Sequence, residues 1–363
     1  RDFVAQQEKR YRPGTFSYAG DRPSRWSVDR GVWMLGYWAR AYINDVVRAG
    51  KIDVDKKEIT WKVPLIFGLD TWGANRFFAF NLIEELDVPG EYYVDRVKRI
   101  LYFWPPKPIG HCAVAVSSLT NAMLLCENVS NVVFENLCLE GGRQDGVLVK
   151  GGVEVTLRAC EIRGVGRHAV QLLGGKGHRV LGSDIHHVGW SGIVMKGGDR
   201  RTLEPALFEA VNNHIYRTSE VVRGRSWVGP LSMDGVGMRA AHNLIHHAPQ
   251  SAVWYSGNDQ IIEYNDIYWC MYETAEGGVF YAGYDWTFRG NEIRYNHIHH
   301  INDSLEGSPT GVLTLHLDDC VAGTTFRGNL VYRSGAMEIC GGLYNIGDIN
   351  LFVDCPLWLG LST

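Results

Sequence analysis

The phrase EYNDIYW at residues 263–269 indicates the fold, because variants of it recur along most of the chain. Each copy has an aromatic or basic residue, a small or polar residue, an anchor that is usually Asn, any residue, Ile or Leu, and a polar residue. The other copies are FENLCLEG at 134–141, RACEIRG at 158–164, LGSDIHHVG at 181–189, VNNHIYR at 211–217, AHNLIHH at 241–247, RYNHIHH at 294–300, RGNLVYR at 327–333 and DINLFVD at 348–354. Repetition at this period is typical of solenoids.

The anchors of the copies recur every 21 to 33 residues. They are Asn136, Cys160, Ser183, Asn213, Asn243, Asn265, Asn296, Asn329 and Asn350. The short spacings fit one coil of a parallel β-helix, and the long ones fit a coil with an inserted loop. Each unit contains two or three short alternating strands. We expect Asn at the anchor because it tolerates the left-handed conformation and its amide can bond along the stack. The sequence therefore predicts an all-β, right-handed parallel β-helix, and the alternative is a β-sandwich with chance matches.

The first part of the chain lacks the repeat. We expect residues 1–110 to form an accessory or capping segment and residues 111–363 to form the β-helix domain. The stretch WMLGYWARAYINDVV at 33–47 is predicted to be helical or looped. The stretch at 77–106 is predicted to form a short helix, a turn at Pro89-Gly90 and a hairpin. Exposed edges of a stacked sheet need such a cover.

Composition excludes several classes of protein. The chain has 363 residues, 45% hydrophobic and 21% charged, with 36 basic residues against 40 acidic ones. This is a globular composition, not a disordered one. It offers no long uncharged apolar run for a membrane span and no long basic run for nucleic acid. The 42 Gly and the 12 Trp, 17 Tyr and 13 Phe suggest a turn-rich β protein with a carbohydrate-like ligand.

Eight cysteines occur without a CxxC pair, so a structural zinc site is not expected. They are read as buried thiols or as one or two disulfides. The chain begins with Arg1 and not Met, so we expect it to be processed or trimmed.

Acidic residues gather in the later coils and are the candidate catalytic groups. Glu276, Asp318 and Asp319 can be brought to one face by a parallel stack. Two carboxylates flanking one bond are the equipment of glycoside hydrolysis. The nearby side chains that could bind or orient a sugar are Asp234, Trp254, Tyr255, Tyr281, Tyr284, Asp285 and Trp286.

Histidines recur as adjacent pairs at 186–187, 246–247 and 299–300. Adjacent strand residues point to opposite faces, so we expect these pairs to form a structural ladder and not a chelate. His316 shares a face with Asp318 and is a better site candidate. The basic stretch KGGDRRTLEP at 196–205 is read as a solvated loop or as a binding site for an acidic sugar.

Several phrases in order along residues 30–335 resemble bacterial right-handed parallel β-helix glycoside hydrolases, the α-L-fucosidase and xylanase type that acts on plant cell-wall polysaccharides. They are GNDQIIEYNDIY, EGGVFYAGYDWTFRGNEIRYNHIHHI, HLDDCVAGTTFRGN, KGGDRRTL, DGVGMRAAHNLIHHAPQSA and NLIEELDVPGEYYVDRVKRILYFWPP. The resemblance implies a catalytic pair at Glu276 and at Asp318 or Asp319. It also implies a carbohydrate substrate, no nucleic-acid or membrane partner, no cofactor, and a secreted or periplasmic location.

Four residues depart from that family's pattern. The family usually has Asp where this chain has Glu276 and Arg where it has Tyr284, and often has His where Gln250 and Gln260 stand. A carboxylate displaced by about 1 Å can cost roughly a hundredfold in rate. The departures therefore imply altered or lost activity with the fold intact.

Three functions compete at this stage. The first is a glycoside hydrolase with an open groove, in which Asp285 orients the catalytic carboxylates. The second is a polysaccharide lyase or epimerase with a base such as His316, and with Ca²⁺ held by Asp318 and Asp319. The third is a non-catalytic carbohydrate-binding β-helix, which the four departures favour.

Overall fold

A computed structural model describes residues 12–39, 42–65, 67–69, 75–111, 114–224, 228–274, 277–301, 311–356 and 359–362. The chain forms two compact units, Arg1–Val116 and Ser117–Thr363. Within the described residues, no helix is long and apolar enough to cross a membrane.

The first unit is built on an antiparallel sheet and a hairpin. Its strands are β1 (Thr15–Ser17), β2 (Trp33–Tyr37), β3 (Asn44–Asp53), β4 (Glu58–Trp61), β5 (Arg76–Phe80), β6 (Tyr92–Asp95) and β7 (Ile100–Phe103). Short 3-10 helices lie at Arg22–Arg25, Val28–Arg30, Ile83–Glu85 and Ile109–His111. The sheet order is β1-β4-β3-β2-β5, and β6 pairs with β7. The predicted short helix, the turn at Pro89-Gly90 and the hairpin are confirmed within 77–106, although β5 occupies the first part of that stretch.

The helical or looped prediction for residues 33–47 is wrong. This stretch supplies β2 and the start of β3, which pair antiparallel with Trp33 opposite Arg48. The strand β2 also pairs with β5, and four of its five residues are buried. A central strand covered on both faces has no apolar–polar alternation, so its sequence does not show the period of two.

The second unit is a stack of short strands. In chain order they are β8 (Leu124–Glu127), β9 (Ser130–Glu135), β10 (Cys138–Glu140), β11 (Val147–Lys150), β12 (Val153–Arg158), β13 (Glu161–Val165), β14 (Val170–Leu173), β15 (Arg179–Leu181), β16 (Asp184–Val188), β17 (Ile193–Gly197), β18 (Glu209–Val211), β19 (His214–Tyr216), β20 (Leu231–Val236), β21 (Arg239–Ala241), β22 (Leu244–Ala248), β23 (Val253–Asn258), β24 (Ile261–Glu263), β25 (Asp266–Cys270), β26 (Gly277–Gly283), β27 (Asn291–Arg294), β28 (His297–His299), β29 (Val312–Asp318), β30 (Thr324–Arg327), β31 (Leu330–Tyr332), β32 (Ala336–Cys340), β33 (Ile346–Asp348), β34 (Leu351–Val353) and β35 (Leu359–Ser362).

Every third strand of the second unit joins the same parallel sheet. Sheet A contains ten strands from β8 to β35, sheet B nine from β9 to β33, and sheet C nine from β10 to β34. The inward residues of all three sheets form one apolar core along the stack, in which Leu172, Ile193, Phe280 and Phe326 are almost fully buried. This is the predicted right-handed parallel β-helix, which is thus confirmed.

The predicted Asn stack is also confirmed, between sheets B and C. The Nδ2 of Asn265 donates to Asn296 Oδ1 over 2.9 Å, and its Oδ1 accepts from Asn243 Nδ2 over 2.9 Å. The same amide-to-amide bond joins every successive anchor from Asn213 to Asn350. Each coil is thereby registered on the next through buried, satisfied amides.

One reason given for Asn at the anchor is wrong. The left-handed conformation belongs to the residue before the anchor, as at Tyr264 (φ 52°) and Tyr295 (φ 56°), and not to the ladder asparagines from Asn213 onward. Asn136 is itself left-handed, with φ 56°. It therefore belongs to this preceding position, and Asn is selected at the anchor for its amide alone.

Rings stack along the outer face of sheet C. His186, Tyr216, His246, Tyr268 and His299 follow one another at centroid distances of 4.7–5.0 Å with nearly parallel planes. The predicted ladder is therefore confirmed.

The statement that adjacent histidines face opposite ways is wrong. The second His of each pair is left-handed, with φ 52° at His187, 54° at His247 and 50° at His300. This turns its ring back, and the two Nδ1 atoms of each pair lie 2.5–2.8 Å apart. The alternation rule fails here because it holds only for extended backbone.

Burial of the ladder makes stability depend on pH. Burial first, and then His247 and His214, lower the pKa of His246 to about 4. The unfolded chain takes up this proton near pH 6.5, so it binds more protons than the folded chain between about pH 6.5 and 4. The melting temperature is therefore expected to fall as the pH is lowered through this range.

The variant His246→Tyr isolates that effect, since Tyr already occupies the ladder at Tyr216 and Tyr268. It should show a smaller drop in melting temperature between about pH 7 and 4.5 than the wild type. The exposed His242 is the control, and His242→Asn should keep the wild-type drop. An unchanged drop in His246→Tyr would show that this residue does not titrate as described.

Among the described cysteines, none forms a disulfide. Cys126, Cys160 and Cys270 are buried thiols, and Cys112 lies outside the described residues.

Candidate functional site

The candidate site lies on the outer face of sheet A, on the neighbouring strands β26, β29 and β32. On β29 the side chains of Leu315 and Leu317 enter the core, so His316 and Asp318 face outward by alternation. The parallel register places Tyr281 on one side of His316 and Glu338 on the other. Tyr281, His316 and Glu338 therefore form one row across three neighbouring strands. Asp318 lies two residues further along β29 on the same face.

Tyr281 is bound to Asp318. Its hydroxyl donates to Asp318 Oδ2 over 2.6 Å, and its ring lies 4.2 Å from that of Trp254. Burial, followed by the Asp318 carboxylate, raises the pKa of Tyr281 well above 10, so the phenol keeps its proton. Gly283 leaves room for this contact, since a Cβ there would lie 3.0 Å from the Tyr281 oxygen.

His316 is the centre of the group. Its Nε2 lies 3.7 Å from Asp318 Oδ1, 3.8 Å from Glu338 Oε2 and 3.9 Å from Cys340 Sγ. Its side chain is 4% exposed, and its Nδ1 has no hydrogen-bond partner within the described part of the chain. Burial lowers the pKa of His316 although the surrounding carboxylates oppose the shift, so the imidazole is neutral at neutral pH.

Asp318 and Glu338 form the carboxylate pair of the site. Each has an oxygen within 3.8 Å of the same nitrogen, so these two oxygens are less than twice that distance apart. Glycosidases place their two carboxyl groups about 5–9.5 Å apart. Among the described residues, no Lys or Arg nitrogen lies within 4.0 Å of either carboxylate. The pair is shielded, close together and not neutralised by a basic side chain.

Glu338 and Cys340 were missed by the sequence reasoning. In the stretch AMEIC at 336–340 Glu338 is the one charged residue among apolar ones, and it stands twelve residues before the anchor Asn350. Gln171, which faces outward in an earlier coil, stands at the same distance before Ser183. The count is not constant, since the aligned His316 and Tyr281 stand 13 and 15 residues before their anchors, so no fixed spacing finds Glu338.

The other predicted site residues fall in three places. Asp234 lies on the same face, on β20, three strands from β29. There Ser256 Oγ donates to it and Lys196 Nζ forms an ion pair with it, both over 2.7 Å. Asp319 is exposed in the turn after β29. Glu276 lies outside the described residues.

Asp285 is bound to the loop after β17. Arg200 donates to Asp285 Oδ2 over 2.9 Å, to Asn258 Oδ1 over 3.1 Å and to Thr287 Oγ1 over 2.8 Å. Burial raises the pKa of Asp285, but hydrogen bonds from Thr287 and Arg200 outweigh it, so the pKa is lowered overall. This network fixes the loop and accounts for part of the basic stretch at 196–205.

The aromatic candidates differ in exposure. Trp254 and Tyr281 are each 7% exposed, whereas Tyr284 is 67% and Trp286 76% exposed. Only the last two can offer a whole ring face to a sugar from solvent. Tyr255 points into the core and donates to or accepts from Thr324.

Gln250 and Gln260 are buried bracing residues. Gln260 Nε2 donates over 3.0 Å to the carbonyls of Gly235 and Ser256, and Gln250 Nε2 donates to the carbonyl of Val228. Both amides therefore support the backbone next to sheet A.

A cavity of 770 Å³ lies elsewhere, against sheet C. Its lining includes His247, Trp269, His300, Arg333 and Asp354. The His316 group lies on a different sheet, so this cavity is not part of the candidate site.

Comparisons with known proteins agree with the fold. The family model described as "Right handed beta helix region" matches residues 122–297. A solved structure described as "Glycoside hydrolase" has a TM-score of 0.65 and 15% identity, over 90% of this chain and 68% of that chain. The crystal structure of the Dettilon tailspike protein has a TM-score of 0.29 and 14% identity, over 61% of this chain and 55% of that chain, which supports no inference. No curated protein matches the chain.

Proposed function

We propose that this protein hydrolyses a glycosidic bond in a polysaccharide or oligosaccharide, with Asp318 and Glu338 as the reacting carboxyl groups. The observation that carries the proposal is the close pair of outward carboxylates on either side of His316. Its support from comparison is the shared fold with a structure described as a glycoside hydrolase. Because one fold can host many functions, the site and not the fold supports this proposal.

The surroundings of the two carboxyl groups assign their roles. Asp318 accepts a hydrogen bond from the Tyr281 hydroxyl, which fixes the position of its carboxylate, so we assign it the role of nucleophile or base. Glu338 receives no such hydrogen bond from the described residues and acts as the acid that protonates the leaving oxygen. The neutral His316 separates the two groups without adding charge.

The charge of the site favours a neutral sugar. A uronate bound here would meet Asp318 and Glu338, and no described Lys or Arg lies within 4.0 Å of them. Lys196 already pairs with Asp234. A lyase or epimerase acting on an acidic polysaccharide is therefore the weaker reading, despite the neutral imidazole that could serve as its base.

The finer features of the family resemblance belong to the same proposal. A plant cell-wall polysaccharide as substrate and a secreted or periplasmic location are proposed from that resemblance, and the exposed ring of Trp286 is available to bind a sugar. Glu276 remains the alternative acid that the resemblance implies.

The leaving group distinguishes the acid from other residues. Glu338→Gln should slow hydrolysis of an alkyl glycoside by roughly 10²–10⁴-fold, because the departing alkoxide needs a proton. The same variant should hydrolyse an activated aryl glycoside at a rate within about tenfold of the wild-type rate, because that leaving group departs as a stable anion. Rates on both substrates and the melting temperature are the measurements.

Glu276→Gln is the matched variant for that experiment. Leaving-group dependence in Glu276→Gln and not in Glu338→Gln would make Glu276 the acid and the assignment of Glu338 wrong. Wild-type rates in both variants would place the acid elsewhere.

A further inference from the structure

A second group of ligating side chains lies on sheet C, apart from the site on sheet A. His297 Nδ1 and His299 Nε2 each lie 3.0 Å from Asp266 Oδ1. The two histidines are two residues apart on β28 and therefore share a face. The parallel register places Asp266 of β25 opposite His297 and Tyr268 opposite His299. Two neighbouring coils thus supply one carboxylate and two imidazoles to one point.

We propose that Asp266, His297 and His299 form a binding site for a divalent first-row transition metal, with Zn²⁺ as the expected ion. Imidazole nitrogens and carboxylate oxygens bind Zn²⁺ at about 2.0–2.2 Å, which puts tetrahedral donor atoms roughly 3.3 Å apart. The three donor atoms here lie within 4.8 Å of one another, with two of the separations at 3.0 Å. The two 3.0 Å separations are within a few tenths of an ångström of that value, and the third is no longer than 4.8 Å.

Access favours an ion that enters from solvent. The side chains of Asp266, His297 and His299 are 48%, 44% and 17% exposed. Three protein ligands leave a fourth tetrahedral position for water. The ion would join β25 to β28 and thereby tie one coil to the next.

A further histidine supports the site from behind. His299 Nδ1 lies 2.8 Å from His300 Nδ1. A metal-bound imidazole usually donates its other N–H to such a partner, which fixes the tautomer and the ring orientation. In the tautomer in which His299 Nδ1 donates to His300, the Nε2 lone pair faces Asp266 and can bind a cation, whereas without a cation the opposite tautomer lets Nε2 donate to Asp266.

Stacking also holds His299 in place. Its ring lies 5.0 Å from that of Tyr268 and 4.3 Å from that of His297, with interplanar angles of 18° and 27°. A ligand fixed by its neighbours loses little conformational freedom when it binds an ion.

The chain contains a natural comparison for this site. Asp184 stands opposite His214 in the same sheet, and His214 Nδ1 lies 3.2 Å from Asp184 Oδ1. Tyr216 occupies the position that corresponds to His299, so this earlier arrangement lacks the third donor. The variant His299→Tyr gives the later site the residues of the earlier arrangement. It keeps an aromatic ring of a kind that the ladder already contains.

The test is zinc titration of the metal-stripped whole chain against a chromogenic indicator, with Co²⁺ absorption as the report on coordination. The wild type should bind one zinc ion per chain at this site. In His299→Tyr and Asp266→Asn the affinity for that ion should be at least about a hundredfold lower. Zinc should raise the melting temperature of the wild type more than that of either variant, because it binds the folded state. His214→Ala should bind zinc as the wild type does.

Equal stoichiometry and affinity in the wild type, His299→Tyr and Asp266→Asn would overturn the proposal. Loss of the same equivalent in His214→Ala would also overturn it, because the ion would then lie at the Asp184 arrangement. Melting curves without metal show that each variant is folded, and Asp266→Asn is nearly isosteric should His299→Tyr fail to fold. The result is independent of glycoside hydrolysis, which is proposed for sheet A.

Discussion

Asp318→Asn is expected to reduce kcat by roughly 10²–10⁴-fold with little change in melting temperature. The amide keeps an oxygen that can accept the Tyr281 hydroxyl, so the local packing survives. It removes the negative charge that attacks the sugar or activates water. The loss should therefore appear in turnover and not in stability.

Asp319→Asn is the matched control, because the next residue is exposed in the turn after β29. It should retain wild-type turnover within a few-fold. The resemblance leaves Asp318 and Asp319 as alternatives, and the structure favours Asp318 through its contacts with Tyr281 and His316. Loss of activity in Asp319→Asn with full activity in Asp318→Asn would reverse this assignment.

Asn265→Ala is expected to lower the free energy of unfolding by roughly 3–5 kcal/mol. The buried amide of Asn265 donates to Ala240 O over 3.1 Å and to Asn296 Oδ1 over 2.9 Å. Its oxygen accepts from Asn243 N over 3.0 Å and from Asn243 Nδ2 over 2.9 Å. Alanine leaves these buried partners without a bond, and each unsatisfied group costs about 1–3 kcal/mol.

Asn350→Ala tests the same ladder at its end. Asn350 is partly exposed, so water can replace the bonds that it makes with Phe326 O and Asn329. Urea unfolding of Asn350→Ala should show a decrease in the free energy of unfolding about half as large as in Asn265→Ala. Equal losses at the two positions, or a loss below about 1 kcal/mol at Asn265, would contradict the role of the ladder.

The β-helix could be predicted because each repeat is a short local phrase and because the anchor position requires one kind of side chain. From Asn213 onward, an Asn at the corner between sheets B and C is selected by the amide stack, so it recurs once in every coil. The left-handed position escaped notice because Asn212, His242, Tyr264 and Ile349 share no residue type. Their conformation comes from the corner that the coil must turn and not from their own preference.

The site could be predicted only in part. His316, Asp318 and Tyr281 follow from alternation within single strands. Glu338 depends on the register between two coils, and the loop of variable length before β29 hides that register when residues are counted forward from the anchors. Asp285 was expected to orient the catalytic groups, but its contact with Arg200 joins residues 85 positions apart, which no local pattern reveals.

The central claim is that the wild-type protein hydrolyses glycosidic bonds at the carboxylates of sheet A. The most direct measurement is a panel of neutral polysaccharides and aryl glycosides, read for new reducing ends and for the absorbance of a new double bond, with Asp318→Asn in parallel. We expect new reducing ends without double-bond absorbance, in a yield that a chelator does not change and that is lost in Asp318→Asn. Double-bond absorbance, or no product from the wild type across the panel, would contradict it.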